Sequence, residues 1–354
     1  MKKLKVKKLV IKIGSQLLEK NNKIDYDFIE SLAKQIKNLK ENGIDVIIVS
    51  SGAVLAGIKK LGLKQKPKTV TEKQAVSAVG QATLIQIYDE KFSSEGLTIG
   101  QVLLTTEGLK IRKRYNYARN TLEKLLDLNV VPIINENDTV AVEEIVFGDN
   151  DFLAAHVAVL LNADLLVILS TAGGLYTDDP SNKNAEIIKE IKDIEKALTF
   201  AKASKSKYGT GGMRSKLEAA EIAVSHGIPV VISPKKENII LEIIEGNIEG
   251  TFIHPKEKKY KGKKSWIALL SEVKGKIKID EGAEKALKTG KSLLTAGIKS
   301  VEGYFSKNDV VAIENNQGII IGKGIVNYNW KQLNELKGKK SKKEAIHRDN
   351  MVIF

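Results

Sequence analysis

The stretch KLVIKIGS, residues 8–15, decides the fold that we predict for this chain. Apart from Lys12, its interior is a run of apolar residues, most of them β-branched. Such a run, without the alternation of a half-buried strand, is typical of a strand covered on both faces. Gly14 and Ser15 end it. We therefore predict a buried strand over residues 8–13.

The residues that follow complete a β–α–β unit. Apolar residues recur at helical spacing from Asp25 or Asp27, either of which can cap a helix, to Gly43, which is suited to end one. Residues 45–49 form a second apolar run, which ends in Ser50, Ser51 and Gly52. A strand, a helix and a strand of these lengths predict a crossover between parallel strands.

The same alternation continues to residue 244. Further helices are predicted over residues 72–92, 117–128, 152–161 and 239–244, and another over the apolar-periodic run 217–224 that residues 209–216 open. Further strands are predicted over residues 99–104, 130–134, 165–169 and 228–232, with a short hairpin-like segment at 144–147. This order is that of an α/β protein. We predict a three-layer αβα sandwich with a mainly parallel sheet.

The composition changes after residue 253. Residues 256–264 are charged and contain few apolar residues, and short alternating runs follow from residue 275. We predict a first domain over residues 1–255, a linker over 256–274 and a small β-barrel-like domain over 275–354.

The charge is unevenly distributed. Residues 251–354 hold 22 Lys and Arg against 11 Asp and Glu, and so carry +11 of the net charge of +14. This asymmetry favours a polyanion-binding appendage. A lysine-rich surface of the kind found in thermophilic proteins explains the same excess without a polyanion, and both interpretations stay open.

The composition also excludes several classes of protein. The chain has no cysteine, which excludes disulfides, thiolate metal sites and thiol nucleophiles, and its four histidines argue against a histidine-rich metal centre. Lys12 interrupts the N-terminal apolar run too early for an export signal. No apolar stretch approaches the ~18 residues of a membrane span. We expect a cytoplasmic protein with no metal ligands of its own and no membrane association.

Polar side chains follow the predicted strands at their carboxyl ends. In open α/β sheets these ends line the ligand crevice. The clusters are Lys12 with Gly14 and Ser15, Ser50–Gly52, Asn135–Asp138, Asp149–Asp151, Ser170 with Thr171, and Gly209–Lys216. We expect them all to face one cleft.

The last of these clusters, GTGGMRSK at residues 209–216, opens a predicted helix. Glycines that let the backbone approach a ligand, followed by a helix N-terminus, favour a phosphate site. The stretch matches neither the P-loop nor the dinucleotide-binding pattern. A loop that merely caps the helix is the alternative interpretation.

Two lysines are candidates for phosphoryl transfer. Lys12 interrupts an apolar strand and Lys216 lies one turn into the helix, so both can approach the cleft. Phosphoryl transfer needs cations that offset spreading negative charge, and Asp151 could hold both by hydrogen-bonded pairing. The alternatives are an exposed lysine at a sheet edge for Lys12 and a plain helix cap for Asp151, a position that Asp149 could also take.

A second group is suited to an amino-acid substrate. Ser51, at a helix start, could bind a carboxylate. Asp138, Asn150 and Asn135 offer acceptors and donors for an α-ammonium and an α-carboxylate. Each residue also has a structural interpretation, as a capping serine or as a turn former.

These residues resemble the glutamate 5-kinase family of the amino-acid kinase superfamily. The resemblance is carried, in order, by residues 10–15, 49–53, 135–138, 148–151, 174–177 with Asp179-Pro180, and 209–213. Residues 275–354, with DEGA at 280–283, GIKSV at 297–301 and HRD at 347–349, look like the PUA domain found in many bacterial members. The resemblance covers essentially the whole chain.

The resemblance implies an amino-acid kinase fold and transfer of the ATP γ-phosphoryl group to the side-chain carboxylate of L-glutamate, the first step of proline biosynthesis, with feedback by proline. Lys12, Lys216 and Asp151 would be catalytic, and Ser51, Asp138, Asn150 and Asn135 would hold glutamate. The nucleotide, with Mg²⁺ on its phosphates, would contact Lys12, Ser170, Thr171, Thr210, Gly211, Gly212, Met213, Arg214, Ser215 and Lys216.

The chain departs from the family pattern at two places. Many relatives have Thr-Asp where this chain has Ser170-Thr171, which bears on the details of nucleotide contact. Arg214-Ser215 replaces the more usual small residue and threonine, and serine keeps the hydroxyl that can cap or bind phosphate.

Two alternative functions remain at this stage. One is a kinase for another carboxylate, that of aspartate or N-acetylglutamate. The other is an RNA-binding or RNA-modification protein, because PUA domains commonly bind RNA and this one is basic. The resemblance further implies a homo-oligomer, a dimer or tetramer, and transfer of the product to a glutamyl-phosphate reductase.

Overall fold

The computed structural model of the chain describes residues 2–21, 23–141, 150–178, 182, 184–203, 212–257 and 263–354. These residues form two compact units. The first comprises the described residues up to Leu109 and those from Tyr115 to 257, and the second comprises Lys110–Arg114 and the described residues from 263 to Phe354. The boundaries of the linker, at 255/256 and 274/275, stay a prediction from the sequence.

The first unit is built on strands of mostly apolar sequence. They are β1 (Lys8–Ile13), β2 (Glu19–Lys20), β3 (Lys23–Ile24), β4 (Asp45–Ser50), β5 (Ile99–Leu104), β6 (Val131–Glu136), β7 (Leu165–Leu169), β8 (Glu190–Ile191), β9 (Val230–Ser233) and β10 (Thr251–Ile253). Within the described residues, eight of them form one sheet in the order β5-β6-β4-β1-β7-β9-β10-β8, while β2 and β3 form a separate hairpin.

The sheet is mainly parallel. All pairings from β5 to β9 are parallel, with Lys12 of β1 opposite Val49 of β4 and Ile168 of β7. Only β10 runs antiparallel to β9, and β8 then pairs with β10 in parallel. The short strands β8 and β10 were not among the predicted elements, because two or three residues are too few to show a period.

Helices in the part of the chain up to residue 257 follow the strands. They are α1 (Tyr26–Glu41), α2 (Ala53–Leu61), α3 (Val70–Ser94), α4 (Thr106–Lys110), α5 (Arg112–Asp127), α6 (Asp151–Leu161), α7 (Ile194–Ala203), α8 (Met213–Val224) and α9 (Ile239–Ile244), with a 3-10 turn at Ser15–Leu18. The predicted hairpin-like segment at 144–147 lies outside the described residues.

The two faces of the sheet are covered by different helices. On one face, alternate strand residues such as Leu9 and Ile11 pack with apolar residues of α1, α3 and α9. On the other face, which Val10 and Lys12 share by the alternation of a strand, lies α6, whose side chains are almost all buried. This arrangement confirms the predicted three-layer αβα sandwich.

Helices α2 and α3 approach each other closely because glycines meet at their crossing. A Cβ atom added to Gly57 of α2 would lie 1.9 Å from the carbonyl oxygen of Val76, and one added to Gly80 of α3 would lie 1.8 Å from that of Ala53. Both distances are far below contact, so no larger residue fits. The glycines therefore fix the position of α3 against the start of α2.

The second unit has a smaller sheet. Its strands are β11 (Val273–Ile279), β12 (Ile298–Gly303), β13 (Val310–Glu314), β14 (Ile320–Ile325) and β15 (Met351–Ile353), in the order β12-β11-β13-β14-β15. Only β11 and β13 are parallel. Helices α10 (Glu281–Lys288) and α11 (Trp330–Leu336) accompany the sheet, and a helical turn at Lys263–Ser265 continues as a π-helix at Trp266–Leu270. Ile277, Val311 and Leu333 lie in its core.

None of the described helices has both the length and the hydropathy that a membrane-spanning segment needs.

Candidate active site

Two buried lysines share one buried carboxylate at the carboxyl end of the parallel strands. The Nζ of Lys12 lies 2.6 Å from Oδ1 of Asp151, and the Nζ of Lys216 lies 2.9 Å from Oδ2. The exposed fractions of Lys12, Lys216 and Asp151 are 1%, 7% and 0%. We call these three residues the lysine–Asp151 cluster, and the sequence predicted their association.

Each member of the cluster is fixed by a different element. Lys12 is the last residue but one of β1, which lies in the middle of the sheet between β4 and β7, so the alternative of an exposed lysine at a sheet edge is wrong. Asp151 is the first residue of α6, whose cap position belongs to Asn150, and it is therefore more than a plain helix cap. Lys216 lies in the first turn of α8, which packs against α6.

A chain of amide hydrogen bonds begins beside Asp151. Nδ2 of Asn150 donates to the carbonyl oxygen of Ser50 at 3.0 Å and to Oδ1 of Asn135 at 2.7 Å. Nδ2 of Asn135 in turn donates to Oε1 of Gln81 at 2.7 Å. We call Asn150, Asn135 and Gln81 the amide relay. Two of its members were predicted to bind substrate, and the relay joins them to helix α3.

Asp138 contacts α3 as well. The hydroxyl of Ser77, one turn before Gln81, donates to Oδ2 of Asp138. Burial raises the pKa of Asp138, and the hydrogen bond from Ser77 opposes that rise. The structure thus brings Asp138 to the same face of α3 as Asn135.

Ser51 lies at the end of β4, where the chain turns into α2. Its backbone N–H donates to the carbonyl oxygen of Ile13 at 2.9 Å, which ties the ends of β1 and β4 together. The cap position of α2 is Gly52, with φ +111°, so the interpretation of Ser51 as the capping residue is wrong. Ser51 is buried, and it follows Ser50, whose carbonyl oxygen accepts from Asn150 of the relay.

The predicted nucleotide-binding residues lie along β7 and α8. The backbone N–H of Ser170 donates to the carbonyl oxygen of Ser233 at the end of β9, and the Thr171 hydroxyl donates to Oε1 of Gln16 at 3.3 Å. Gly212 occupies the cap position of α8 without a side-chain cap, and its carbonyl oxygen accepts from the Ser215 hydroxyl at 2.9 Å.

Some of the other residues predicted to contact the nucleotide lie at the start of α8, and others lie outside the described residues. Arg214 is half-exposed and pairs with Glu218 one turn further along α8, and Met213 is the first residue of that helix. Thr210 and Gly211, together with Gly209 and Asp149, lie outside the described residues, as do Asp179 and Pro180. Their predicted roles remain predictions.

Three contributors to the site were missed by reasoning from the sequence: Ser77, Gln81 and Tyr88. Ser50, which contacts Tyr88, belongs to the polar clusters that were expected to face the cleft. The hydroxyls of Ser50 and Tyr88 lie 2.9 Å apart, and burial raises the pKa of Tyr88. The spacing of Ser77, Gln81 and Tyr88, at four and seven residues, places them on one side of a helix. That spacing was the available signal, but nothing local relates it to Asp138, Asn135 or Ser50, which are distant in sequence.

The cluster suits a phosphoryl group better than a metal ion. In the part of the chain that the structure describes, the ammonium groups of Lys12 and Lys216 contact one carboxylate in a buried position, where charge interactions are weakly screened. Within the described residues, no group of three or more His, Asp or Glu side chains could hold a metal. Two ammonium groups placed in this way can offset negative charge that develops during phosphoryl transfer.

Comparisons with known proteins cover both units. The model of the amino acid kinase family matches residues 7–233, and that of the PUA domain matches residues 275–346. A glutamate 5-kinase of Aquifex aeolicus is 51% identical over 360 residues, covering 98% of this chain and 99% of that one. Glutamate 5-kinases of Carboxydothermus hydrogenoformans and Thermus thermophilus are 46% and 42% identical over 364 residues, covering 98% and 99% of this chain and 98% of each relative.

A solved structure shows the same fold. The carbamate kinase from Giardia lamblia bound to AMP-PNP superposes with a TM-score of 0.53, covering 71% of this chain and 99% of that one, at 15% sequence identity. At this identity the likeness concerns the fold alone. It agrees with the three-layer arrangement of the first unit.

Proposed function

Because this chain belongs to the amino acid kinase family, we propose that it transfers the γ-phosphoryl group of ATP to the side-chain carboxylate of L-glutamate, giving γ-glutamyl phosphate and ADP. The family assignment itself makes the chain a phosphotransferase whose acceptor is a carboxyl group. Glutamate as the acceptor is supported by the names of relatives that match the chain over nearly its whole length.

The observation that carries the proposal is the lysine–Asp151 cluster. A carboxylate oxygen of glutamate attacks the γ-phosphorus, and the bond from that phosphorus to the β,γ-bridging oxygen breaks, so that ADP leaves with the electron pair. The attacking group is already ionised, so the reaction needs no enzymic nucleophile or general base. The protein's task is to position the reactants and to offset the charge that spreads over the transferring group.

Lys12 and Lys216 are suited to that task by position. Asp151 contacts both, at 2.6 Å and 2.9 Å, so their ammonium groups are held near each other before substrates arrive. Such preorganised charges need no rearrangement during the reaction, and the loss of one electrostatic contact of this kind costs typically ~10²–10³-fold in kcat.

The nucleotide would lie along the ends of β7 and β9 and the start of α8, near Ser170, Thr171 and Gly212. Helix N-termini bind phosphates through free N–H groups and the helix dipole. Mg²⁺ prefers oxygen ligands and is commonly held by substrate phosphates with one or two carboxylates. Because the described residues contain no metal-binding cluster, we propose that the nucleotide phosphates bring most of its ligands.

Glutamate would lie beside the amide relay, close to Ser51 and Asp138. Asn150 donates both of its amide hydrogens, one to the carbonyl oxygen of Ser50 and one to Oδ1 of Asn135. Its own Oδ1 is then an acceptor for an ammonium group. The carboxylate of Asp138 is a second acceptor. These groups support an amino acid rather than a simple carboxylic acid as the substrate.

The decisive experiment measures ADP release from Mg-ATP with glutamate, aspartate and N-acetylglutamate offered in parallel. We expect turnover with glutamate and much less with the other two. If aspartate or N-acetylglutamate gave the faster turnover, the acceptor would be wrong while the kinase assignment stood. No ADP release with any of them would contradict the carboxyl-kinase function.

The place of the reaction in metabolism follows from this proposal. γ-Glutamyl phosphate is a labile acyl phosphate, and we propose that it passes to a glutamyl-phosphate reductase on the way to proline, in the cytoplasm. Feedback inhibition is tested by adding proline to the same assay, where we expect a rise in the glutamate concentration needed for half-maximal turnover. Light scattering on the purified chain tests the proposed dimer or tetramer.

A further inference from the structure

Gln81 ends the amide relay with a donor that no described residue uses. Its Oε1 accepts from Asn135, whereas its Nε2 has no hydrogen-bond partner in the part of the chain that the structure describes. Gln81 is partly exposed, unlike the buried Asn135 and Asn150. The end of the relay is therefore accessible to a ligand.

The direction of the relay is fixed by two backbone groups. A carbonyl can only accept, so the Ser50 carbonyl requires the Nδ2 end of Asn150. A backbone N–H can only donate, and that of Glu136 donates to Oδ1 of Asn135 at 2.9 Å. Neither group can reverse its role, and both impose the same orientation on the amides between them.

The consequence reaches Gln81. Oδ1 of Asn135 accepts from the backbone N–H of Glu136 and from Nδ2 of Asn150. The Nδ2 group of Asn135 therefore faces Gln81, which must accept this hydrogen bond with its Oε1. A reversed amide of Gln81 would place two donors against each other. Its NH₂ group is therefore directed away from Asn135 and offers hydrogens, which suit an anionic acceptor.

The relay also leads away from the reacting groups. Asn150 is next to Asp151 in sequence, Asn135 is one hydrogen bond further and Gln81 is two. The carboxylate that receives the phosphoryl group must meet Lys12 and Lys216. A carboxylate that meets Gln81 is then the other one of the substrate.

We propose that Gln81 determines specificity for the acceptor by donating a hydrogen bond from Nε2 to the carboxylate that does not react, the α-carboxylate of glutamate. This inference rests on the proposed function and adds a recognition residue to it. Gln81 takes no part in phosphoryl transfer, so its effect belongs to the binding of the amino acid.

The test uses Gln81→Glu in the full-length enzyme. The new side chain keeps an oxygen for Asn135, loses the donor and adds a negative charge facing the substrate carboxylate. We expect the KM for glutamate to rise ~10–100-fold, since hydrogen bonds to charged groups contribute about 1.5–3 kcal/mol. The KM for ATP should stay unchanged and kcat should fall less than ~3-fold.

A second substrate makes the test independent of folding. The α-amide of glutamate has no charge at the α-carboxyl position and can donate a hydrogen bond. The ratio of its kcat/KM to that of glutamate should therefore rise at least ~10-fold in Gln81→Glu relative to the unmodified enzyme. Gln81→Leu removes donor and acceptor together and should impair both substrates.

Gln86→Glu is the matched control. It places the same change on an exposed position of the same helix, and we expect unaltered kinetics. An unchanged KM for glutamate in Gln81→Glu would overturn the proposal, as would equal losses for both substrates together with a lowered melting temperature. If the unmodified enzyme itself neither turns over nor binds glutamate, the proposed function fails first and this inference falls with it.

Discussion

The side chain of Asp151 contacts Lys12 and Lys216 while having no exposed surface. Removing one partner from a buried charged group is costly, because the charges that remain are neither hydrated nor balanced. At this position the ammonium groups of Lys12 and Lys216 would lose the carboxylate that both of them contact. The stability of the fold and the chemistry therefore depend on the same carboxylate.

We predict that Asp151→Asn lowers the free energy of unfolding by about 3–5 kcal/mol and reduces the rate of ADP release by at least ~10²-fold. Urea unfolding and the coupled kinase assay measure the two effects. Asp127→Asn, which makes the same change in an exposed pair with Lys124, should leave both quantities unaltered. Full stability in Asp151→Asn would show that the lysines are balanced by other groups.

The hydrogen bond from Ser77 to Asp138 lowers the pKa of Asp138, and this effect can be tested by a substitution of Ser77. Burial raises that pKa and the hydrogen bond from Ser77 opposes the rise, so Ser77→Ala should raise it further. If the ionised carboxylate binds the ammonium group, kcat/KM for glutamate falls as the pH drops through this pKa. We expect the acid limb of the pH profile to move to higher pH in Ser77→Ala.

The control is Ser94→Ala, at an exposed position in the last turn of the same helix. Its pH profile should coincide with that of the unmodified enzyme. A profile that moves to lower pH in Ser77→Ala, or that does not move, would contradict the assignment of the acid limb to Asp138.

Helix α3 carries two residues that contact Asp138 and Asn135, the residues predicted to bind the acceptor. Ser77 and Gln81 lie on it, and Gly80 sets its distance from α2. A side chain at Gly80 would collide with the carbonyl oxygen of Ala53, and that backbone atom cannot move without shifting the start of α2. The close crossing of the two helices thus fixes where α3 presents Ser77 and Gln81.

We predict that Gly80→Ala destabilises the protein by about 1–3 kcal/mol, although alanine favours helices by up to ~1 kcal/mol over glycine. Moving α3 should also raise the KM for glutamate more than that for ATP. Gly282→Ala in α10, where the added Cβ meets only a side-chain oxygen at 3.4 Å, should leave the melting temperature equal or higher. Equal stability of Gly80→Ala would mean that the helices separate freely.

Much of the element order could be predicted from the sequence, because it depends on local pattern. Residues 8–13 form the predicted strand, and the apolar runs at 99–104, 165–169 and 239–244 match β5, β7 and α9. Strand β6 reaches Glu136, so Asn135 belongs to a strand end and not to a loop after it. Strands β8 and β10 were not predicted, because two or three residues are too few to show a periodic pattern.

The site could be predicted only in part from local sequence pattern. Lys12, Asp151 and Lys216 could be related because each lies at an end of a predicted element, and these ends are expected to face one crevice. Gln81 and Ser77 lie in the middle of a long helix, where polar residues usually face solvent. Only the tertiary contacts with Asn135 and Asp138 distinguish them, and no local pattern contains those contacts.

The molecule consists of two units with different electrostatic character. Most of the positive excess lies in residues 251–354, and a lysine-rich loop with Lys339, Lys340, Lys342 and Lys343 is exposed there. Its backbone is held by the Thr295 hydroxyl, which donates to the carbonyl oxygen of Lys339 at 2.6 Å. Lysines on an anchored loop are suited to contact a polyanion.

We predict that the full chain binds labelled RNA weakly and that binding weakens as salt rises. Replacing these four lysines with glutamine should reduce the slope of log affinity against log salt by ~0.7 for each phosphate of a single strand that is no longer neutralised. Lys285→Gln with Lys288→Gln, on α10, is the control. An absence of RNA binding at low salt would favour the interpretation of the charge as a lysine-rich surface only.

The junction between Asn150 and Asp151 has a consequence for how such an enzyme can diversify. A single peptide bond separates the residue that begins the relay from the residue that holds the lysines. The relay ends on α3, whereas the lysines come from β1 and α8. Substitutions on α3 can therefore change which amino acid the enzyme binds, while Lys12 and Lys216 keep their positions for phosphoryl transfer. New substrate preferences should arise from substitutions on that helix first.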